Sequence, residues 1–245
     1  MKAYTQGISK KEFVKEMRAH QKADDFIKGT YDQGKKGCSV GCALKSVAKI
    51  KNISIQDFGN HELFETHLGI PEWLARVNDA IFEGVSKERS RLWPVEFSEA
   101  INEGANLDKI KTKFIVVVLK SSIDSMNSVK FDEDKNPDVK KALEQSTAAV
   151  FQMIEAHEKG LDLSAARSAA ESAAESAAWS AARSAAWSAA RSAARSAAES
   201  AARSAESAAE SAESAESAES AARSAESAAF EYFADELLKL MEDCK

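Results

Sequence analysis

The sequence predicts an all-α protein: a helical bundle, then a long Ala/Ser-rich helix or helical hairpin, and finally a short amphipathic helix. Apolar residues recur at helical spacing through the first 160 residues, and Gly and Pro mark the segment ends. From Ser164 to Ser204 a serine recurs every four residues, and from there to Ser227 every three or four, mostly separated by alanine. Only one β-branched run, FIVVVL, could form a strand, and no second run exists to pair with it. We therefore expect three segments: 1–160, 161–229 and 230–245.

The first predicted helix lies in KKEFVKEMRAHQKADDFIKG, where Phe13 and Met17 share one face. Ser9 and Glu12 have the spacing of a capping box at its start. A glycine-rich loop follows, and the next helix is predicted in CALKSVAKIK, residues 42–51.

Prolines open the later helices of the front segment. Pro71 precedes EWLARVNDAIFEG, which Gly84 ends, and Pro94 opens VEFSEAINEG. FIVVVL is assigned to a helix because it has no strand partner. Pro137 opens the last helix of the bundle, which ends near Gly160.

The repeat favours a helix over disorder because alanine is the best helix former and the tract contains neither Gly nor Pro. A step of four residues advances about 400° around a helix, so the large fourth residues form a slowly winding ridge. Trp179 and Trp187 are the predicted docking residues of this tract. They would either cap the core of the bundle or form an aromatic contact with a ligand or a second copy.

Composition excludes several classes of protein. The formal net charge of −6 argues against a duplex-DNA binder, which would need many phosphate contacts. No run approaches the ~20 apolar residues of a membrane span, and the polar start lacks the apolar core of a signal peptide. Three cysteines without export signals predict reduced thiols in a cytoplasm, which would be that of a bacterial host if a phage encodes the chain.

Charge is nevertheless segregated along the chain. Residues 1–51 carry 12 basic and 5 acidic side chains, whereas residues 52–108 are mostly acidic. The two blocks either neutralise each other across a packed interface or leave a positive surface for an anion.

The stretch KKGCSVGCALKS is the most suggestive candidate site. Its glycines precede a helix, where free backbone N–H groups and nearby lysines attract anions. The predicted anion or nucleotide site comprises Lys35, Lys36, Gly37, Cys38, Ser39, Gly41 and Lys45, bordered by the aromatic residues Tyr31, Trp73 and Trp93. The alternative is a close helix crossing that needs small residues. The spacing is not that of a phosphate-binding P-loop.

Cysteine chemistry is the other candidate. A thiol at a helix start can have a lowered pKa, and His20, His61, His67 and His157 could each serve as its base. The ordinary expectation is that Cys38 and Cys42 are buried structural thiols. No Cys/His spacing matches a zinc site, so we expect no metal, no cofactor and no catalytic residue.

Three stretches in order, KGCSVGCALKS, HLGIPEWLARVNDAIFEGV and WPVEFSEAINEGANL, followed by an Ala-rich repeat, resemble a family of uncharacterised accessory proteins of phages and bacteria. The resemblance covers roughly residues 1–160. It implies a context: phage accessory proteins of this kind are often counter-defence factors, and one class sequesters the nucleotide signals of bacterial immunity.

Three functional hypotheses follow. The first is a non-enzymatic, homo-oligomeric protein that sequesters a small anionic ligand, such as a nucleotide immune signal. The second is an interaction or immunity-type module that binds a partner protein through the Ala/Ser-rich helix. The third is a cysteine-dependent enzyme that uses Cys38.

Overall fold

A computed structural model describes residues 1–128, 137–161, 164, 168 and 224–245. The prediction of an all-α fold is confirmed, since these residues form helices, turns and isolated bridges but no strand. The Ala/Ser repeat with Trp179 and Trp187 lies outside the described residues, and its helical form stays a prediction. No helix in the described part has both the length and the apolar character needed to cross a bilayer.

The helices have the following bounds: α1 Lys10–Lys22, α2 Ser39–Lys51, α3 Glu62–Leu68, α4 Glu72–Gly84, α5 Lys87–Ser90, α6 Trp93–Ala100, α7 Lys111–Asn127, α8 Pro137–Lys159 and α9, residues 224–242. A single 3-10 turn, Leu107–Ile110, precedes α7.

The helix starts follow local rules. The capping box of Ser9 and Glu12 is present, and Pro94 lies in the first turn of α6. The predicted start of α2 at Cys42 is wrong, because the helix begins three residues earlier, at Ser39. Cys38 caps it: its sulfur accepts a hydrogen bond from the Gly41 N–H at 3.5 Å, so the chain can turn into the helix before the second cysteine.

Helices α1, α2, α4 and α6 pack together around the front core. Its largest fully buried side chains include Trp93, Phe13, Phe64 and Phe82. Trp93 has no exposed surface, so it belongs to this core and does not border an open ligand surface as predicted.

The chain divides into two compact units. Unit 1 contains Met1–Phe114 together with Ser224–Lys245, and unit 2 contains Ile115–Arg223. The C-terminal helix α9 is therefore part of the same unit as the N-terminal helices. Its apolar face is buried there through Ala234, Leu237 and Met241.

Helix α9 is fixed to unit 1 by specific contacts. The ring of Phe230 lies so close to Gly84 that a Cβ there would come within 2.1 Å of it. The Glu231 carboxylate accepts hydrogen bonds from the N–H and the hydroxyl of Ser86, at 3.0 and 2.7 Å. Further along, Arg89 pairs with Asp235 at 2.9 Å. These contacts set α9 against the end of α4 and the start of α5.

In unit 2, the described core lies between α7 and α8. Val116, Ile123 and Ile154 form a buried cluster, with Leu119 and Val150 packed against it. The run FIVVVL is thus helical, as predicted, because its side chains find apolar partners on another helix rather than on a neighbouring strand.

Candidate functional site

The α1–α2 loop, residues 23–38, presents the predicted site. Hydrogen bonds close its base: Ile27 N–H donates to the Gly37 carbonyl at 2.9 Å, and Gly37 N–H donates to the Asp25 carbonyl at 3.0 Å. The Cys38 N–H donates to the Thr30 carbonyl at 2.7 Å. Residues 31–36 at its tip are exposed. The loop therefore has a base that is fixed by backbone hydrogen bonds and a tip that is exposed to solvent.

Two glycines let this loop pack closely against α2. A Cβ on Gly37 would lie 2.4 Å from the Tyr31 carbonyl oxygen, and one on Gly41 would lie 1.7 Å from it. A backbone atom cannot retreat as a flexible side chain can, so both positions require glycine. The alternative to an anion site was a close helix crossing that needs small residues. The observed packing does need small residues at Gly37 and Gly41, but α2 packs here against a loop and not against a second helix.

The start of α2 is covered by protein. Cys38, Ser39, Val40 and Gly41 are all buried. Since the first N–H groups of a helix are the ones that attract anions, their burial removes them from direct contact with a ligand in solvent.

A carboxylate of the protein itself lies at this helix start. Asp79 of α4 accepts a hydrogen bond from the Tyr31 hydroxyl at 2.9 Å, and its Oδ2 lies 3.2 Å from Nε2 of His61. The rings of Tyr31 and His61 are perpendicular to each other, with centroids 5.9 Å apart. Asp79 also lies near enough to Cys38 to raise the pKa of its thiol. We call Tyr31, Cys38, His61, Asn78 and Asp79 the Asp79 cluster.

Two atoms of this cluster are buried without a hydrogen-bond partner in the described part of the chain: Nδ2 of Asn78 and Oδ1 of Asp79. The amide of Asn78 is oriented by two donors, because its Oδ1 accepts from Ser39 Oγ and Trp93 Nε1, each at 3.0 Å. A tryptophan N–H can only donate, so the amide nitrogen must point elsewhere. A buried unpaired donor costs about 1–3 kcal/mol and calls for an explanation.

The cysteines are free and buried, as expected. Burial is the main cause that raises the pKa of the Cys38 thiol to about 12, although the Gly41 and Val40 N–H groups oppose it. Burial likewise raises the pKa of Cys42 to about 12. Both thiols are therefore protonated at neutral pH, and neither is an activated nucleophile.

The lysines of the predicted site differ in their availability. Lys35 and Lys36 are exposed at the loop tip. Lys45 is already engaged: its ammonium pairs with Asp32 at 2.9 Å, donates to the Lys36 carbonyl at 2.5 Å and lies 5.6 Å above the Phe58 ring. Lys45 thus supports the loop, and the two tip lysines present their charge to solvent.

The structure brings the predicted residues together only in part. Tyr31, Gly37, Cys38, Gly41 and Lys45 meet where the loop crosses α2. By contrast, Trp73 donates to Asp108 at 3.1 Å and lies under the ammonium of Lys111, at the start of α4. Ser39 and Trp93 are joined through Asn78 inside the core.

Sequence reasoning missed Asp79 and could not single out His61 among the four histidines. Asp79 lies on an ordinary amphipathic helix, and nothing in its local pattern distinguishes it from the other carboxylates. The described residues contain no group of three His, Cys, Asp or Glu side chains that could hold a metal ion.

Comparisons with family models, with curated proteins and with solved structures find no match to this chain.

Proposed function

We propose that this chain is a non-enzymatic binding protein that takes up a small anionic ligand at the tip of the α1–α2 loop. The recognition residues are Tyr31, Lys35 and Lys36. The two lysines supply charge for a phosphate or carboxylate, and the Tyr31 ring supplies a surface on which a planar group can stack.

The observation that carries this proposal is the fixed presentation of these residues. Tyr31 is 40% exposed, yet its hydroxyl, its carbonyl and its ring each contact other parts of the protein. A binding loop that is already ordered loses little conformational entropy when a ligand arrives. Exposed recognition residues on a pinned loop are a common arrangement for binding.

The state of the thiols supports a binding role over cysteine catalysis. A nucleophilic cysteine needs a lowered pKa and access to substrate. Cys38 is buried, and its pKa is raised to about 12.

The finer identity of the ligand rests on the family resemblance of the three front stretches. We propose a nucleotide signal of bacterial immunity, sequestered in the cytoplasm of the host by a phage counter-defence protein. Homo-oligomer formation and the rival hypothesis of a partner bound by the Ala/Ser-rich helix both concern residues outside the described part, and both stay predictions.

Calorimetry with the full chain tests the proposal, using a panel of cyclic nucleotides and ADP-ribose derivatives. We expect one of them to bind and Lys35→Glu/Lys36→Glu to abolish the heat of binding. The control, Lys109→Glu/Lys113→Glu, makes the same charge change at exposed lysines away from the loop and should leave binding intact. Absence of binding by every compound at high micromolar concentration would refute the proposal.

A further inference from the structure

We propose that the Asp79 cluster is an anion-binding cradle at the start of α2, which the chain fills from within with the Asp79 carboxylate. This inference goes beyond the proposed function: the two share Tyr31, but the inference concerns its hydroxyl and the other groups around Asp79 and not the exposed lysines. The ligand class that the cradle fits, once Asp79 is removed, is a small oxyanion of carboxylate type.

The cradle consists of donors that converge on one carboxylate. The Tyr31 hydroxyl and the His61 imidazole both contact Oδ2 of Asp79. The first turn of α2 adds its positive end, since the Cys38 cap lies beside the same carboxylate. Donors from a loop and from the residue before α3 thus meet on Oδ2 of one carboxylate, whereas its Oδ1 is buried without a hydrogen-bond partner in the described part of the chain.

An independent observation points to a binding site here. Asn78 is only 1% exposed, and its amide is held at Ser39, the first residue of α2, yet Nδ2 has no partner among the described residues. One buried donor on the residue next to Asp79 is therefore unpaired, as is the Oδ1 acceptor of Asp79 itself. In a variant without the Asp79 carboxylate, a free oxyanion can move closer to this donor than a carboxylate attached to α4 can. It can then accept a hydrogen bond from Nδ2 as well.

The geometry explains why the predicted anion site at α2 is closed. The sequence predicted an external anion at this helix start, whereas the group found beside Cys38 is a carboxylate of the protein itself, Asp79 of α4. In the wild-type protein an external phosphate must rely on side chains such as Lys35 and Lys36.

Chemical rescue tests the inference. Asp79→Ala removes the carboxylate and leaves space of about its size among the donors. We expect the melting temperature of the full chain to fall by about 5–10 °C and to recover by several degrees in sodium formate, relative to sodium chloride at equal ionic strength. Wild-type protein should melt at the same temperature in both salts.

The His20–Asp25 pair provides a matched control. Its Nδ1–Oδ2 distance is 2.8 Å, and its side chains are 17% and 15% exposed, against 9% and 16% for His61 and Asp79. Among the described residues His20 is the side-chain donor that contacts Asp25, whereas both Tyr31 and His61 contact Asp79. Asp25→Ala should therefore be destabilised without recovery in formate. Equal recovery of the two variants, or no recovery of Asp79→Ala, would overturn the proposal.

If Asp79→Ala does not fold in chloride, its refolding yield replaces the melting temperature. A higher yield in formate than in chloride supports the cradle, and equal yields refute it. Asp79→Asn serves as a second variant: because the amide fills the space without the charge, formate should not stabilise it. Calorimetry on the loop lysines is unaffected by these outcomes, so the two proposals can fail separately.

Discussion

At the scale of single residues, Tyr31 connects the parts of the candidate site. Its hydroxyl contacts Asp79, its ring contacts His61, and its carbonyl lies against Gly37 and Gly41. Burial is the main cause that raises the pKa of Tyr31 to about 12, with the Asp79 hydrogen bond adding to it. The phenol is therefore a donor at all physiological pH values, as its contact with a carboxylate requires.

The glycine contact yields a prediction. Gly41→Ala should lower the free energy of unfolding by about 3 kcal/mol or more, because the new methyl group meets backbone atoms that cannot move without displacing the loop. Urea titration followed by circular dichroism measures this. Gly34→Ala, which has open space but a φ of +67°, should cost only about 1–2 kcal/mol. A smaller loss for Gly41→Ala than for Gly34→Ala would contradict the described packing.

The cysteines yield a second prediction. Because burial keeps Cys38 and Cys42 protonated, these two thiols of the native protein should resist iodoacetamide at pH 7.5 for hours, whereas unfolded protein should be alkylated at all three cysteines. Intact-mass spectrometry counts the modifications. Rapid, stoichiometric alkylation of Cys38 in the native protein would instead favour the cysteine-enzyme hypothesis.

At the scale of helices, local signals in the sequence were sufficient where caps and prolines decide the outcome. The capping box of α1, Pro94 in α6 and the end of α8 before Gly160 agree with the predictions. The start of α2 was misplaced because a cysteine is an unusual cap. The Asp79 cluster could not be predicted, since it depends on where α4 packs and not on any local pattern.

Helix α9 is a second case in which local pattern predicts a helix but not its packing partners. Its amphipathic pattern was evident, but its partners, Ser86 and Arg89 of the α5 region, are set by tertiary packing. Arg89 lies between two carboxylates, Glu96 at 2.9 Å and Asp235 at 2.9 Å. Burial raises the pKa of Glu96, and the charges of Asp235 and Glu231 add to that effect, while Arg89 opposes it.

This arrangement predicts a pH dependence. A carboxyl whose pKa is raised on folding contributes stability below its unfolded pKa and loses that contribution as the pH rises through its folded pKa. Glu96→Gln removes the titration, so the variant should gain stability relative to wild type between pH 4 and pH 7. Urea titrations at both values measure the difference. If the variant instead loses stability relative to wild type over this range, the Arg89 charge must lower the pKa of Glu96 by more than burial raises it.

At the scale of the whole molecule, the chain leaves unit 1 after Phe114 and rejoins it at Ser224. The C-terminal residues are thus a structural part of the unit that carries the candidate site. Composition revealed the helical class and the unusual repeat, but contacts between residues more than a hundred positions apart leave no local trace in the sequence.

This connectivity predicts that a change in α9 destabilises the N-terminal helices. Leu237→Ala should lower the free energy of unfolding of unit 1 by about 2–4 kcal/mol, because Leu237 is fully buried. Hydrogen exchange of the α4 and α6 amides reports the loss. Tyr232→Ala, at an exposed position of the same helix, should cost less than about 1 kcal/mol. If the α4 amides of Leu237→Ala are protected from hydrogen exchange as well as those of wild type, α9 does not stabilise the N-terminal helices of unit 1.

The central claim is that the tip of the α1–α2 loop captures a small anionic ligand. The most direct test is mass spectrometry of the small molecules released by heat from the full chain, purified from bacteria in which a nucleotide-signalling defence system is active. We predict close to one equivalent of a phosphate-containing compound from wild type and at least tenfold less from Lys35→Glu/Lys36→Glu. The same release from both proteins, or no compound from either, would contradict the claim.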